Sequence, residues 1–440
     1  MKEKRGEIMG RHSQTKAQKK KSILINLVFL LASFIVIFGF TIAIWIRGQQ
    51  EESIIENRPL AKFPRFSLTD FFQGKYQDDL EKSLSDQMLW SQSIKTAMTS
   101  RKSELIGEWQ KKLVANIEEE EPLTEEETQN QTIDSKVEEK PKEVRKIKYM
   151  PISGGNVYHY GDSHYMVFKC RSLKNAKSKI DEMAQSYQKH FKDIDSYFYF
   201  VNISKSIDFN KVDETENEFL TYIKQAFSDF QCNGLKIDSY EQYMDYFYET
   251  DHHWNYKGSY QGYKDVISLM LPEEKVLEPI ETKTFDTYYY GSNARTTAVY
   301  TNKEKFTVYD FKIPKHTTYV NGSVSGYGNR DMYYNNGYST EKGYNHYGAF
   351  YGGDFAEVSF DFKQPEKENL LVIAPSYSNA INKLVASHFN KTYYIDLRHY
   401  QNTYGKAFNP EEFCKKNKID KFLFLISIDH LTNGNFELAN

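Results

Sequence analysis

Leu370-Leu371-Val372-Ile373-Ala374-Pro375-Ser376-Tyr377-Ser378 is five apolar residues closed by a proline and a serine. An apolar run of that length bounded by a turn signal reads as a buried strand. The residues after it, Asn379 to Phe389, read as a helix. Ser376 therefore stands at a strand-to-helix turn, where its hydroxyl projects from the C-terminal edge of a sheet. Free amides of the first helical turn face any oxyanion formed there, and active sites of open α/β sheets gather at that edge. Serine is also a preferred helix cap, so position alone leaves Ser376 or Ser378 a purely structural reading.

Working outward, the α/β rhythm holds on both sides. Upstream, Ser172 to Phe191 and Asn217 to Phe230 read as helices, and Ser196 to Asn202 and Leu235 to Asp238 as strands. Downstream, Thr392 to Leu397 and Lys421 to Ile428 read as strands around a helix at Pro410 to Lys416. Alternation of this kind argues for a sheet with helices packed on it. Residues 276–362 differ, with short β-rich runs broken by Gly and Asn, and are expected to form a β-rich insertion.

The second stretch that carries chemistry is Thr250-Asp251-His252-His253-Trp254-Asn255. It lies between the aromatic run Tyr243 to Tyr248 and a helix expected over Tyr260 to Leu271. Catalytic groups often sit on such a loop between regular elements. A serine needs a base to become a nucleophile, and that base needs a partner to fix its tautomer. Asp251 and His253, two residues apart, are able to meet through Nδ1 and leave Nε2 facing a serine. Two other readings stand beside this one. The carboxylate and two imidazoles could bind a metal, although a zinc site needs further ligands at helical or separated spacing, and none is evident. The histidines could also be plain structural groups.

The chain has 440 residues, a net charge of −3 and three cysteines, Cys170, Cys232 and Cys414. Near-neutrality gives no reason to expect a nucleic-acid partner, and the cysteines make neither a disulfide framework nor a CxxC site. No cofactor motif and no metal-ligand spacing is present. Residues 23–46 are almost continuously apolar and long enough, at about 1.5 Å per residue, to cross a ~30 Å hydrocarbon core. The basic tail 1–22 before them places the N-terminus in the cytoplasm and the rest outside. The stretch is too long for a signal-peptide core and no small-x-small site follows, so an uncleaved anchor in the lipid bilayer is expected. Residues 47–115 are expected to form a helical stalk leading into the body, with a helix over Asp70 to Leu105. The acidic, apolar-poor residues 116–148 are expected to be a disordered insertion, and 149–440 the main domain.

At these residues the chain resembles the bacterial DHHW family, named for the tetrad that stands here as Asp251-His252-His253-Trp254. That family is related to SGNH-hydrolase-like O-acetyltransferases of alginate and other exopolysaccharides. The resemblance extends to Glu56-Asn57-Arg58-Pro59-Leu60, Tyr347 to Gly353, Leu371 to Phe389 and Tyr394-Ile395-Asp396-Leu397-Arg398. It implies a three-layer α/β/α sheet domain with Asp251, His253 and Ser376 as a catalytic triad and His252 at the variable position. It implies an O-acyl, most commonly acetyl, transfer or an esterase reaction on a cell-envelope glycan. A polytopic membrane-bound O-acyltransferase is the implied partner, bringing the acyl group across the membrane. Gly352, Gly353 and the Ser376 amide are candidates for the oxyanion hole, and Trp254 for substrate contact. Where the family has an acidic residue before the serine, this chain has Pro375. That departure keeps open a second reading, a non-catalytic scaffold or glycan-binding subunit whose 34 tyrosines serve as stacking platforms.

Overall fold

The computed structural model describes principally residues 170–209, 217–297, 302–325 and 343–438. It also describes 300, 333, 338–341, 58–72 and 74–87, strand pieces at 52–53, 150–152, 157–160 and 165–167, and positions 27, 28, 39, 44 and 46–49. The expected disordered segment 116–148 lies outside the described residues, as does the expected anchor 23–46 apart from Leu27, Val28, Gly39, Ile44 and Ile46. Among the described residues, no helix is long and apolar enough to cross a membrane. The chain divides into two compact units, Met1–Ala97 and Met98–Asn440.

Over its described residues the helix expected at Asp70 to Leu105 is two helices, Leu68–Phe72 and Lys75–Gln87, and 88–105 lie outside the described residues. Gly74 breaks them apart by adopting φ +80°, a left-handed value that favours glycine. The second helix holds the extended segment before it. Ala61 N–H donates to Asp86 Oδ2 at 2.9 Å, and Ser83 Oγ donates to the Lys62 carbonyl at 2.7 Å.

The second unit carries an eight-stranded mixed sheet. The sheet and the principal elements around it are, in chain order, α1 (Leu173–His190), β1 (Asp195–Phe200), α2 (Glu218–Ala226), β2 (Gln231–Gly234), α3 (Tyr240–Tyr246) and α4 (Tyr256–Met270). They continue with the hairpin β3 (Glu281–Tyr288) and β4 (Lys305–Asp310), then β5 (Thr317–Val320), β6 (Ser323–Val324), α5 (His346–Tyr351) and β7 (Glu357–Asp361). The C-terminal run is β8 (Asn369–Ile373), α6 (Asn382–Ala386), β9 (Lys391–Ile395), α7 (Leu397–Tyr404), α8 (Pro410–Asn417), β10 (Lys421–Ile426) and α9 (Ile428–Thr432). The sheet order is β6-β5-β7-β9-β8-β10-β1-β2, parallel from β9 to β2 and antiparallel from β9 outward through β7, β5 and β6.

Burial explains the parallel part. Every residue of β10 is buried, as are Leu370 to Ile373 of β8, which is why Phe422–Ile426 and Leu370–Ile373 read as unbroken apolar runs. On α1 the buried residues Ala176, Ile180, Met183, Ala184 and Tyr187 fall three or four apart, a single helical stripe. That stripe lies on β10, where Tyr187 stacks on Phe424 with centroids 4.0 Å apart and Phe191 on Phe422 at 3.6 Å. A full aromatic burial contributes about 1.5–3 kcal/mol.

Three expectations need correction. The strand expected at Leu235–Asp238 lies four residues earlier, at β2, because Gly234 lets the chain run against Phe200; a Cβ there would come within 2.8 Å of the Phe200 carbonyl oxygen. Among the described residues of the expected β-rich insertion, only the β3–β4 hairpin forms a sheet of its own; β5, β6 and β7 instead satisfy the open edge of the main sheet next to β9. The helix expected over Asn379–Phe389 is a 3-10 turn at Ser376–Ala380 followed by the short α6.

Candidate active site

Pro375 ends β8 and sits at the cap position of the Ser376–Ala380 turn, with φ −81° and ψ −176°. Its φ suits a proline, and its carbonyl accepts the first bond of the turn from Ser378 N–H at 3.1 Å. The amides of Ser376 and Tyr377 precede that bond and have no acceptor inside the turn.

The acidic and imidazole groups come from the connection between α3 and α4. Asn255 fixes its exit: the side-chain oxygen caps α4 by accepting from Lys257 and Gly258 N–H, and Nδ2 donates to the carbonyls of Asp245 and Phe247. Trp254 then fastens this loop to the serine turn. Its indole N–H donates to the Tyr377 carbonyl at 3.0 Å, and the Tyr377 hydroxyl donates back to the His252 carbonyl at 3.0 Å. The indole is wholly buried against Gly262, where a Cβ would sit 2.6 Å from the ring. Trp254 is therefore a structural brace between the two loops, not the substrate contact expected from sequence.

The brace brings three residues into one relay. His253 Nδ1 lies 2.7 Å from Asp251 Oδ1, and His253 Nε2 lies 2.8 Å from Ser376 Oγ, across 123 residues of sequence. All three are buried, Ser376 at 5% exposure. Pro375 does not displace the serine from the histidine.

Asp251 is saturated with donors. Oδ1 accepts from His253 N–H at 2.9 Å as well as from the ring, and Oδ2 accepts from the Tyr289 hydroxyl at 2.9 Å and Ser292 N–H at 2.7 Å. Burial works to raise its pKa, but the two imidazoles, the His253 hydrogen bond and Arg295 hold the carboxyl well below the usual carboxylate range. His252 stays outside the relay, with Nδ1 2.6 Å from Ser292 Oγ. Burial and the neighbouring His253 push its pKa down to about 3. Asp251, His252 and His253 are close enough to share a cation. The four hydrogen bonds on the Asp251 oxygens already use the lone pairs a metal would need.

Tyr347 of α5 and Asn379 of the serine turn complete the surroundings. The Tyr347 ring lies flat on His253, and its hydroxyl donates to the Ser376 carbonyl at 3.0 Å. Asn379 Nδ2 donates to Asp354 Oδ1 at 3.1 Å and to the Gly352 carbonyl at 3.3 Å. Asp354 is held in turn by Arg398, whose Nη2 donates to Oδ2 at 2.9 Å while its Nε contacts both Asp396 oxygens at 2.9 and 3.1 Å. Burial opposes ionisation of Asp354, yet Arg398 and the nearby histidines keep its pKa low.

Of the residues singled out in the sequence, Asp251, His253 and Ser376 are brought together. Gly352 is not an oxyanion donor: its N–H closes α5 by donating to the Gly348 carbonyl at 2.9 Å. Gly353 makes no hydrogen bond with Asp251, His253 or Ser376 among the described residues. Sequence reasoning missed Tyr289, Ser292, Tyr347, Asn379 and Asp354. Only Tyr347 and Asn379, each inside a block noted for its resemblance, had a signal. Cys170, Cys232 and Cys414 are free thiols.

No family model matches the sequence, and no curated protein matches it. The solved structures to which the chain is similar include PatB1 from Bacillus cereus, at 20% identity over 64% of this chain and 100% of that one, with TM-score 0.49. A DHHW family protein from Eubacterium siraeum is another, at 16% identity over 66% of this chain and 98% of that one, with TM-score 0.49. The O-acetyltransferase domain of Pseudomonas putida AlgJ is similar at 9% identity over 64% of this chain and 94% of that one, with TM-score 0.35.

Proposed function

We propose that this chain is a serine-dependent O-acyltransferase or esterase of the cell envelope, with Ser376 as nucleophile, His253 as general base and Asp251 as its orienting partner. The observation that carries this reading is the unbroken hydrogen-bonded relay from Asp251 through His253 to Ser376 at the C-terminal edge of a parallel strand.

In the first half-reaction Ser376 Oγ attacks the acyl carbonyl and its proton passes to His253 Nε2. The negative charge on the former carbonyl oxygen meets the amides at the start of the Ser376–Ala380 turn. Collapse of the tetrahedral species breaks the bond to the leaving group, which takes the proton from His253 and leaves an acyl-serine. In the second half-reaction a sugar hydroxyl, or water in the esterase case, gives its proton to His253 and attacks the acyl carbon. Ser376 then recovers the proton as it leaves. Asp251, ionised and saturated with donors, fixes the Nδ1–H tautomer and stabilises the imidazolium formed twice in the cycle.

The apolar stretch 23–46 and the basic residues before it support an anchored protein whose body lies outside the cytoplasm. In that setting the acyl group would be supplied by a membrane-bound O-acyltransferase, and the acceptor would be an envelope polysaccharide. The test is intact mass of the full chain after exposure to p-nitrophenyl acetate. An acetyl adduct that maps to Ser376, or product release, either one absent from Ser376→Ala, supports the reading. A folded protein with neither adduct nor turnover would overturn it and leave the scaffold role.

A further inference from the structure

Beside the serine turn runs a groove open to solvent, lined by Tyr256 and Tyr260 of α4, Tyr309 of β4, Tyr351 of α5, and Asn379 and Lys383 after the serine. All six are half-buried, so each keeps part of its surface in solvent. This sets them apart from the wholly buried aromatic residues of the core, such as Tyr187, Tyr289 and Phe424. Tyr309 stands edge-on to Tyr256 at 4.7 Å and to Tyr260 at 5.6 Å.

Two features join the groove to the relay. Ser376 and Asn379 are three apart in a 3-10 turn, where side chains at that spacing eclipse and share one face. On the opposite wall, the Tyr351 ring packs on Tyr347 at 5.0 Å, and Tyr347 stacks on His253. The groove thus shares Asn379 with the turn that carries Ser376, and Tyr351 with the aromatic stack on His253.

The lining combines several tyrosines, a lysine and an amide with the apolar Phe311, Ile313, Phe350 and Leu384 and holds no carboxylate, although the Tyr260 hydroxyl donates to Glu278 at 2.7 Å. A pyranose ring matches that combination, because its C–H faces pack on aromatic rings while its hydroxyls bond to phenol, amide and ammonium groups. We propose that the Tyr260–Tyr309–Tyr351–Lys383 groove is the acceptor subsite, holding a hexopyranose unit of the glycan that takes the acyl group. As an acceptor subsite it rests on the function proposed above; as a sugar-binding groove it does not.

The test uses the full chain carrying Ser376→Ala, so that nothing turns over, titrated with cellotetraose, chitotetraose and a mannuronate tetrasaccharide by saturation-transfer NMR. At least one probe is expected to bind. On the same background, Tyr309→Ala should weaken that binding about tenfold, as loss of a central aromatic contact does, and Tyr309→Phe should restore most of it. Tyr319→Ala, on β5 and outside the groove, should bind like the parent. Should Tyr309→Ala fail to fold by its thermal unfolding curve, Tyr351→Ala serves in its place.

The groove assignment is overturned if none of the three probes binds, or if folded Tyr309→Ala and Tyr351→Ala bind as tightly as the parent. Acyl-serine formation, measured separately on the native chain, divides the two readings. Binding that depends on Tyr309 without any adduct keeps the sugar groove and removes the catalytic reading. A Ser376 adduct with binding indifferent to Tyr309 and Tyr351 does the reverse.

Discussion

The ring of Tyr347 lies parallel to the imidazole of His253, centroids 4.0 Å apart and planes 10° from parallel, while its hydroxyl holds the Ser376 carbonyl at 3.0 Å. One side chain thus fixes the plane of the His253 ring and the backbone of Ser376. Tyr347→Phe should keep the stack but remove the second hydrogen bond on the Ser376 carbonyl, which the 3-10 turn itself also pairs, costing about 0.5–1.5 kcal/mol of stability. Tyr347→Leu should also lose the stack and lower turnover of p-nitrophenyl acetate by about tenfold or more. Thermal unfolding and steady-state kinetics on the two variants separate the effects.

Asp251→Asn tests the orienting role directly. The amide nearly matches the carboxylate in shape but cannot accept from all four donors, and it favours the wrong imidazole tautomer. Turnover is expected to fall about 10³–10⁴-fold. Far-ultraviolet circular dichroism should stay unchanged, since the loop is held independently by Trp254 and Asn255. Near-native turnover would remove Asp251 from the mechanism.

Gly291 is required by close approach. A Cβ at this position would lie 2.2 Å from the Cβ of Asp251 and 2.4 Å from its Oδ2. Gly291→Ala should push Asp251 off His253, with about 1–3 kcal/mol of destabilisation and a loss of activity larger than that stability cost alone produces. Chemical denaturation and kinetics on the same sample provide the comparison.

Arg398 bridges two carboxylates, Asp354 and Asp396, whose side chains are only 12% and 8% exposed. Arg398→Met leaves them facing each other with no cation between, at a cost of about 3–5 kcal/mol near neutral pH. Without the guanidinium their pKa values rise, so the deficit should shrink as the pH is lowered and they take up protons. Urea denaturation at two pH values measures this; a deficit that does not change with pH would contradict it.

The whole protein should lose stability on mild acidification. Burial first, then nearby positive groups, push His430 down to about 2, while burial and His253 push His252 to about 3. A depressed imidazole pKa means that the unfolded chain binds protons the folded one refuses, and this begins below about pH 6.5. Asp251 adds to the same trend lower down. Its pKa is also depressed, so its contribution is complete above about pH 4 and is lost as the pH falls through the folded value. The melting temperature should therefore decline from about pH 7 to about pH 5, and the decline should be shallower in His430→Gln.

The sequence by itself determined the parallel core and the chemistry of the relay. Leu370–Ala374 and Lys421–Ile428 read as buried strands because their centres, Leu370–Ala374 and Phe422–Ile426, are continuous apolar runs, as strands covered on both faces are. The turn after the first of them marked Ser376, and the Asp251–His253 pair carried its own geometry, since both partners lie on one short loop. Tertiary structure decided what depends on a second chain segment. Trp254 was legible as part of a motif, but only packing on Gly262 and its bond to Tyr377 made it a brace. Gly352 looked like a free amide until α5 ended on it. Tyr289, Ser292, Tyr347 and Asp354 left no periodic trace, because each reaches the site from an element whose own residue pattern is set by different neighbours. The meeting of His253 with Ser376 across 123 residues is a property of the sheet edge and the indole brace, which no local stretch encodes.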